Sequence, residues 1–196
     1  MTKRVMIAAV LAGAAWLPLA ADADDYDLDA LRAATEKYMD VNAALADGFI
    51  PDPSGHCIDA GHEGLPPEWG AMGIHYLRPD LLGIAQGGER VDGVGMHTDF
   101  AAPAILLYEP QADGSLALVG IENLVFEKAW MDAGGNGPPM FNGRHWDHMS
   151  DDPATAGDEA HGFMPHFDQH VWLFRENPNG VDVPFNPAVT CEHHKG

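Results

Sequence analysis

Residues 103–126, PAILLYEPQADGSLALVGIENLVF, decide the fold. Two runs rich in Ile, Leu, Val and Tyr flank 110–115, where Asp113 and Gly114 are turn formers. The pattern predicts an antiparallel hairpin with strands at 103–109 and 116–126. By simple alternation Ile105, Leu107, Leu116 and Leu118 share one face, and Ala104, Leu106, Val119 and Ile121 the other. A sheet apolar on both sides must be covered on both, by a helix, by the interior of a barrel or by a second subunit.

Two further runs, 71–78 and 168–175, combine β-branched and aromatic residues between Gly, Pro, Asn and Asp, and read as strands. The long helical pattern is 27–47, where Leu28, Leu31, Thr35, Tyr38, Val41 and Leu45 recur at three and four residues. Asp27 can cap its start and Gly48 its end. Segments 48–70, 82–98 and 128–165 are rich in Gly and Pro and read as loops, the last unusually long and therefore a candidate for function. The expected fold is α+β: an N-terminal amphipathic helix packed on a mainly antiparallel sheet, with closure into a barrel left open, in one domain over 24–196.

Residues 1–23 carry Lys3 and Arg4, then an apolar run of sixteen residues from Val5 to Ala20, then Ala21 and Ala23 at cleavage-site spacing. This reads as a secretory signal peptide, short for a bilayer span of roughly twenty residues. The expected product is periplasmic or secreted. Without that segment the chain keeps 8 basic and 29 acidic residues, a charge that disfavours nucleic acid and anionic membranes as partners. Cys57 and Cys191 are the two cysteines, and in an oxidising compartment a disulfide between them is the natural pairing, two thiol ligands for a soft metal being the rival.

Chemistry concentrates in His and Met. Residues 131–170 hold five of the eleven histidines and four of the nine methionines. His145, His148 and His161 lie in the long loop, where solvated imidazoles are the ordinary outcome, and HxxH at His145 and His148 chelates only if that segment is helical. A His or Glu inside an apolar strand is costlier to leave unpaired. His75 lies in Met72-Gly-Ile-His-Tyr, Glu122 between Ile121 and Leu124, and His170 ahead of Val171-Trp-Leu-Phe. Glu109, beside the turn, reads as a solvated carboxylate roughly 20 Å along the hairpin from Glu122. His166, Asp168 and His170 share one face if extended, whereas a helix would bring His166 and His170 within chelating range.

The segments Gly70–Tyr76 (GAMGIHY), Leu107–Pro110 (LYEP), Val119–Glu122 (VGIE) and His170–Gly180 (HVWLFRENPNG), with Asn186-Pro187 and Cys191, resemble those of a family of exported bacterial proteins. That family brings no assigned activity, so the resemblance implies a single exported domain and nothing about chemistry.

No HExxH, CxxCH, G-x-S-x-G or phosphate-binding glycine motif is present, which argues against haem, nucleotide and nucleophilic-hydrolase chemistry. The leading expectation is a transition-metal site, copper or zinc, built from His75, Glu122 and His170 and completed by His166. Such a site serves ion binding or, with an open position, catalysis. Two other readings are a carrier or sensor for a small apolar ligand, and an oligomeric structural or stress protein that pairs with copies of itself.

Overall fold

In the computed structural model, residues 27–85, 90–154 and 158–195 are described. The expected signal peptide at 1–23 lies outside them. The fold is α+β and mostly antiparallel. Helices are α1 (Leu28–Thr35), α2 (Val41–Ala46), α3 (Pro79–Leu82) and α4 (Glu127–Asp132). Strands are β1 (Ile50–Pro51), β2 (Cys57–Asp59), β3 (Ala71–Leu77), β4 (Ile105–Pro110), β5 (Leu116–Phe126), β6 (Met140–Phe141), β7 (Arg144–His145), β8 (Asp147–Met149) and β9 (His166–Val171).

The main sheet runs β1-β3-β4-β5-β9-β8, with β2 beside β1 along the outer edge of β3. It is open: β1 and β2 form one edge, β8 the other, and no barrel closes among the described residues. Cys57 on β2 is disulfide-bonded to Cys191, which ties the C-terminal segment to that first edge.

The hairpin forms as its turn chemistry predicts, Gln111 N–H donating to Ser115 O at 2.9 Å. Simple alternation nevertheless misassigns part of it. A β-bulge between Leu107 and Tyr108 makes Leu107 face Gly120 and Tyr108 face Leu118, so Val119 is an extra residue. Leu116 and Leu118 therefore pack with Leu106, Tyr108 and Ile121, while Val119 packs with Ile105 and Leu107. The carbonyl of Val119 accepts from the backbone N–H groups of Phe174 and Arg175, at 3.1 and 3.2 Å.

Each face of the sheet has its own cover. Leu31, Tyr38 and Ala44 from the N-terminal helical segment, with Phe49, Phe100 and Trp146, pack on the Leu106–Ile121–Val171 face. Opposite, Leu82, Phe163, Trp172 and Val189 cover Ile105, Leu107, Leu124 and Phe126. The N-terminal segment is not one helix: after a 3-10 turn at Glu36–Met39, Asp40 turns extended and caps α2 by accepting from Asn42 N–H. The cap at Asp27 and the positive φ of Gly48 are as the sequence predicts.

One loop and one strand expectation are corrected. Segment 128–165 is not structureless, because most of α4, the small β6–β7 hairpin and β8 lie within it, and β8 extends the sheet by pairing with β9. The C-terminal strand occupies His166–Val171 and not 168–175, because Trp172 N–H turns away to Val181 O at 2.8 Å.

Candidate metal centre

β9 is extended, so His166, Asp168 and His170 all point to the face away from the N-terminal helices. In the β5–β9 ladder His170 stands directly opposite Glu122. Glu122 in turn faces Ile105 on β4, which faces Leu77 on β3, so His75 lies two strands over from Glu122 and one side-chain row along. Two strand spacings are about 9.6 Å, a gap that a glutamate and a histidine leaning toward each other can close. Gly120, the residue of β5 in the His75 row, leaves room for the Trp172 ring, which a Cβ there would meet at 3.2 Å. Gly73 has φ +98°, and a Cβ there would sit 2.6 Å from Tyr108 O. It lets β3 approach β4 that closely just before His75.

The three side chains meet. His75 Nε2 lies 3.1 Å and His170 Nε2 3.4 Å from the same atom, Glu122 Oε2. The three donor atoms are all within 4.8 Å of one another, and all three residues are buried. Ligands around a tetrahedral ion with bonds of about 2.0–2.1 Å stand about 3.3 Å apart, so the two contacts already have the spacing of a coordination shell. The imidazoles are 6.2 Å apart between ring centres and nearly perpendicular, and His170 stacks on Trp172.

Protein hydrogen bonds do not account for this cluster. Glu122 Oε2 and both ring nitrogens of His170 are buried without a hydrogen-bond partner, since the short contacts lack the direction of one. An unsatisfied buried polar atom costs about 1–3 kcal/mol, and more when charged. A bound cation would satisfy Glu122 Oε2 and His170 Nε2 together. Burial alone would push the His75 imidazole down. The Glu122 carboxylate beside it, with Asp52 and Asp168 beyond, outweighs burial and raises it above its ordinary 6.5.

His75 and Glu122 border a small cavity of about 20 Å³, also lined by Asp52, His161, His166 and Asp168. That is room for about one water-sized ligand. His166 faces this cavity but is not one of the three mutually close donors: its Nδ1 meets Met164 O at 3.0 Å, and its Nε2 lies 3.8 Å from Asp168 Oδ2. Burial pushes the Asp168 carboxyl up, yet the surrounding His166, His170 and His161 hold it below its usual range. Its Oδ1 is buried without a partner.

The loop histidines go elsewhere. Arg144–Met149 is extended, so His145 and His148 form no helical chelate; His148 Nε2 meets Glu127 Oε2 at 3.1 Å on the surface. His161 is not solvated: it pairs with Glu63 at 3.1 Å, its side chain only 11% exposed. His62 pairs with Asp59, and His194 is docked on Gly55 O at 2.8 Å. Glu109 is likewise not solvated, being 5% exposed, in an ion pair with Arg175 at 2.6 Å and accepting from Thr190 N–H. Asp52 and His161 could not be read as cavity neighbours, because neither lies on a strand that carries a donor. The period-two pattern at 166, 168 and 170 is the signal for His166 and Asp168, which both line the cavity.

Against protein-family models, curated proteins and solved structures, the chain finds no match.

Proposed function

We propose that this protein binds a transition-metal ion through His75, Glu122 and His170, and that the ion is zinc. One observation carries the reading: two imidazole nitrogens lie 3.1 and 3.4 Å from a single buried carboxylate oxygen that no hydrogen bond satisfies. The donors are nitrogen and oxygen, and no methionine or cysteine lines the cavity among the described residues. Copper(I) favours sulfur ligands, whereas two histidines and a carboxylate suit zinc.

The cavity bears on how the ion is used. About 20 Å³ has room for a water as fourth ligand, which supports a site that holds the ion. We place the protein in an oxidising, exported compartment. The Cys57–Cys191 disulfide supports this, as do the basic start and apolar run of residues 1–23 and the resemblance to exported bacterial proteins. No helix among the described residues is long and apolar enough to cross a membrane.

The test is elemental analysis after chelation, reloading with zinc and desalting, on protein with His193 and His194 replaced by Ala to remove a surface chelate. About one equivalent of zinc is expected. Less than about a tenth of an equivalent of any transition metal would overturn the reading.

A further inference from the structure

A second and far larger cavity opens beside the metal centre. Its volume is about 960 Å³, at the upper end of the range for small-molecule pockets. None of its lining residues is His75, Glu122 or His170, and it is distinct from the smaller cavity, with His161 forming wall to both. Leu65, Trp69, Met149 and Phe185 give it an apolar floor and sides. Trp69 is 45% exposed and leaves part of its indole open to a ligand in this pocket.

The polar groups converging on this pocket are mostly of one sign. Glu63, Asp147 and Glu159 line it. Asp147 is matched by Arg144 at 2.7 Å, and Glu159 accepts from the backbone N–H of Asp152. Glu63, only 14% exposed, meets the His161 imidazole at 3.1 Å. His161 holds φ +50°, a left-handed conformation uncommon for a residue with a Cβ. The contact lacks hydrogen-bond direction and leaves both His161 nitrogens without such a partner.

We infer that this pocket binds a small organic cation with an apolar body, an aromatic or alkyl amine, with the ammonium beside Glu63 and the apolar part against Trp69, Leu65 and Phe185. A carboxylate or phosphate ligand would meet the pocket acids and the field of a chain carrying a formal charge of −20. A neutral ligand would leave Glu63 with no better partner than it has. A cation gains from Glu63 and, over an exposed indole, from the face of Trp69. The inference does not rest on the metal centre, whose ligands lie outside the pocket.

Calorimetric titration with phenethylamine, 2-phenylethanol and 3-phenylpropionate tests it, since the three share a phenyl group and differ in charge. The amine is expected to bind with a Kd of about 1 mM or tighter, about tenfold tighter than the carboxylate, with the difference shrinking at high salt. Glu63→Gln should weaken the amine about fivefold and leave the alcohol unchanged. Leu65→Trp, which fills the cavity from its half-buried rim, should abolish binding and serves if the Glu63 variant does not fold. Glu122→Gln should bind the amine like the wild type, which separates this pocket from the metal site. Equal or tighter binding of the carboxylate, or no saturable binding of the amine, would overturn the inference.

Discussion

Replacing Glu122 by Gln keeps the shape of the side chain and removes the charge that both imidazoles meet, at 3.1 and 3.4 Å. In the wild type, free zinc at about a hundred times its Kd stabilises the folded chain by about 2.7 kcal/mol. With about 2.1 cal/mol/K of unfolding entropy per residue and about 160 described residues, that corresponds to an increase of about 8 °C in Tm. Loss of the bridging carboxylate should weaken zinc by about a hundredfold or more, given that outer-shell changes alone cost 10–100-fold. At the same zinc concentration the variant then keeps at most about 0.4 kcal/mol, a shift of about 1 °C. The assay is differential scanning calorimetry with and without zinc, on both proteins carrying the His193 and His194 replacements. The metal-free variant supplies the folding control. An equal zinc-induced shift in the two proteins would refute the assignment of Glu122, and no shift in the wild type would refute the site.

Other outcomes follow from named contacts. The raised His75 value means that protonation of this residue stabilises the metal-free fold fully below its ordinary 6.5, and that the contribution fades as pH rises through the raised folded value. The metal-free Tm should therefore fall across that window, and His75→Gln should remove that part of the slope; an unchanged slope would count against the His75–Glu122 contact. Reduction of Cys57–Cys191, 134 residues apart, should cost about 5 kcal/mol by chain entropy, measured by urea melts with and without reductant. Gly73→Ala adds a Cβ about 2.6 Å from Tyr108 O at φ +98° and should cost at least about 2 kcal/mol, whereas the same change at Gly114, where a Cβ meets nothing within 4 Å, should cost less. Denaturant midpoints decide between them.

What the sequence made legible was whatever lies within one element. The apolar runs at 71–78 and 116–126 became β3 and β5 because a strand buried on both faces needs no alternation to be seen. Three residues that are costly to bury alone, His75, Glu122 and His170, were marked by that cost. Parity was not legible: the bulge at Leu107 and Tyr108 exchanges the faces of Leu118 and Val119, and nothing in LYEP or LALVG announces it. Strands as short as β6, β7 and β8 are below the length at which a period can be counted, so an edge of the sheet read as loop. His166 has the spacing of a ligand but is four residues from His170 along an extended strand, and its near neighbours are Asp168 and Met164 O. Partners such as Glu63 for His161 and Arg175 for Glu109 arise only from tertiary folding.

The disulfide has a topological consequence for the site. His75, Glu122 and His170 all fall between Cys57 and Cys191, inside one covalent ring of chain. A protease that cuts once anywhere in that ring opens it without releasing a fragment. All three donors stay in a single molecule, and the nicked protein runs as one species until reductant is added. In a compartment rich in proteases, such damage to a surface loop would leave the ion's ligands joined, and a second cut would be needed to part them.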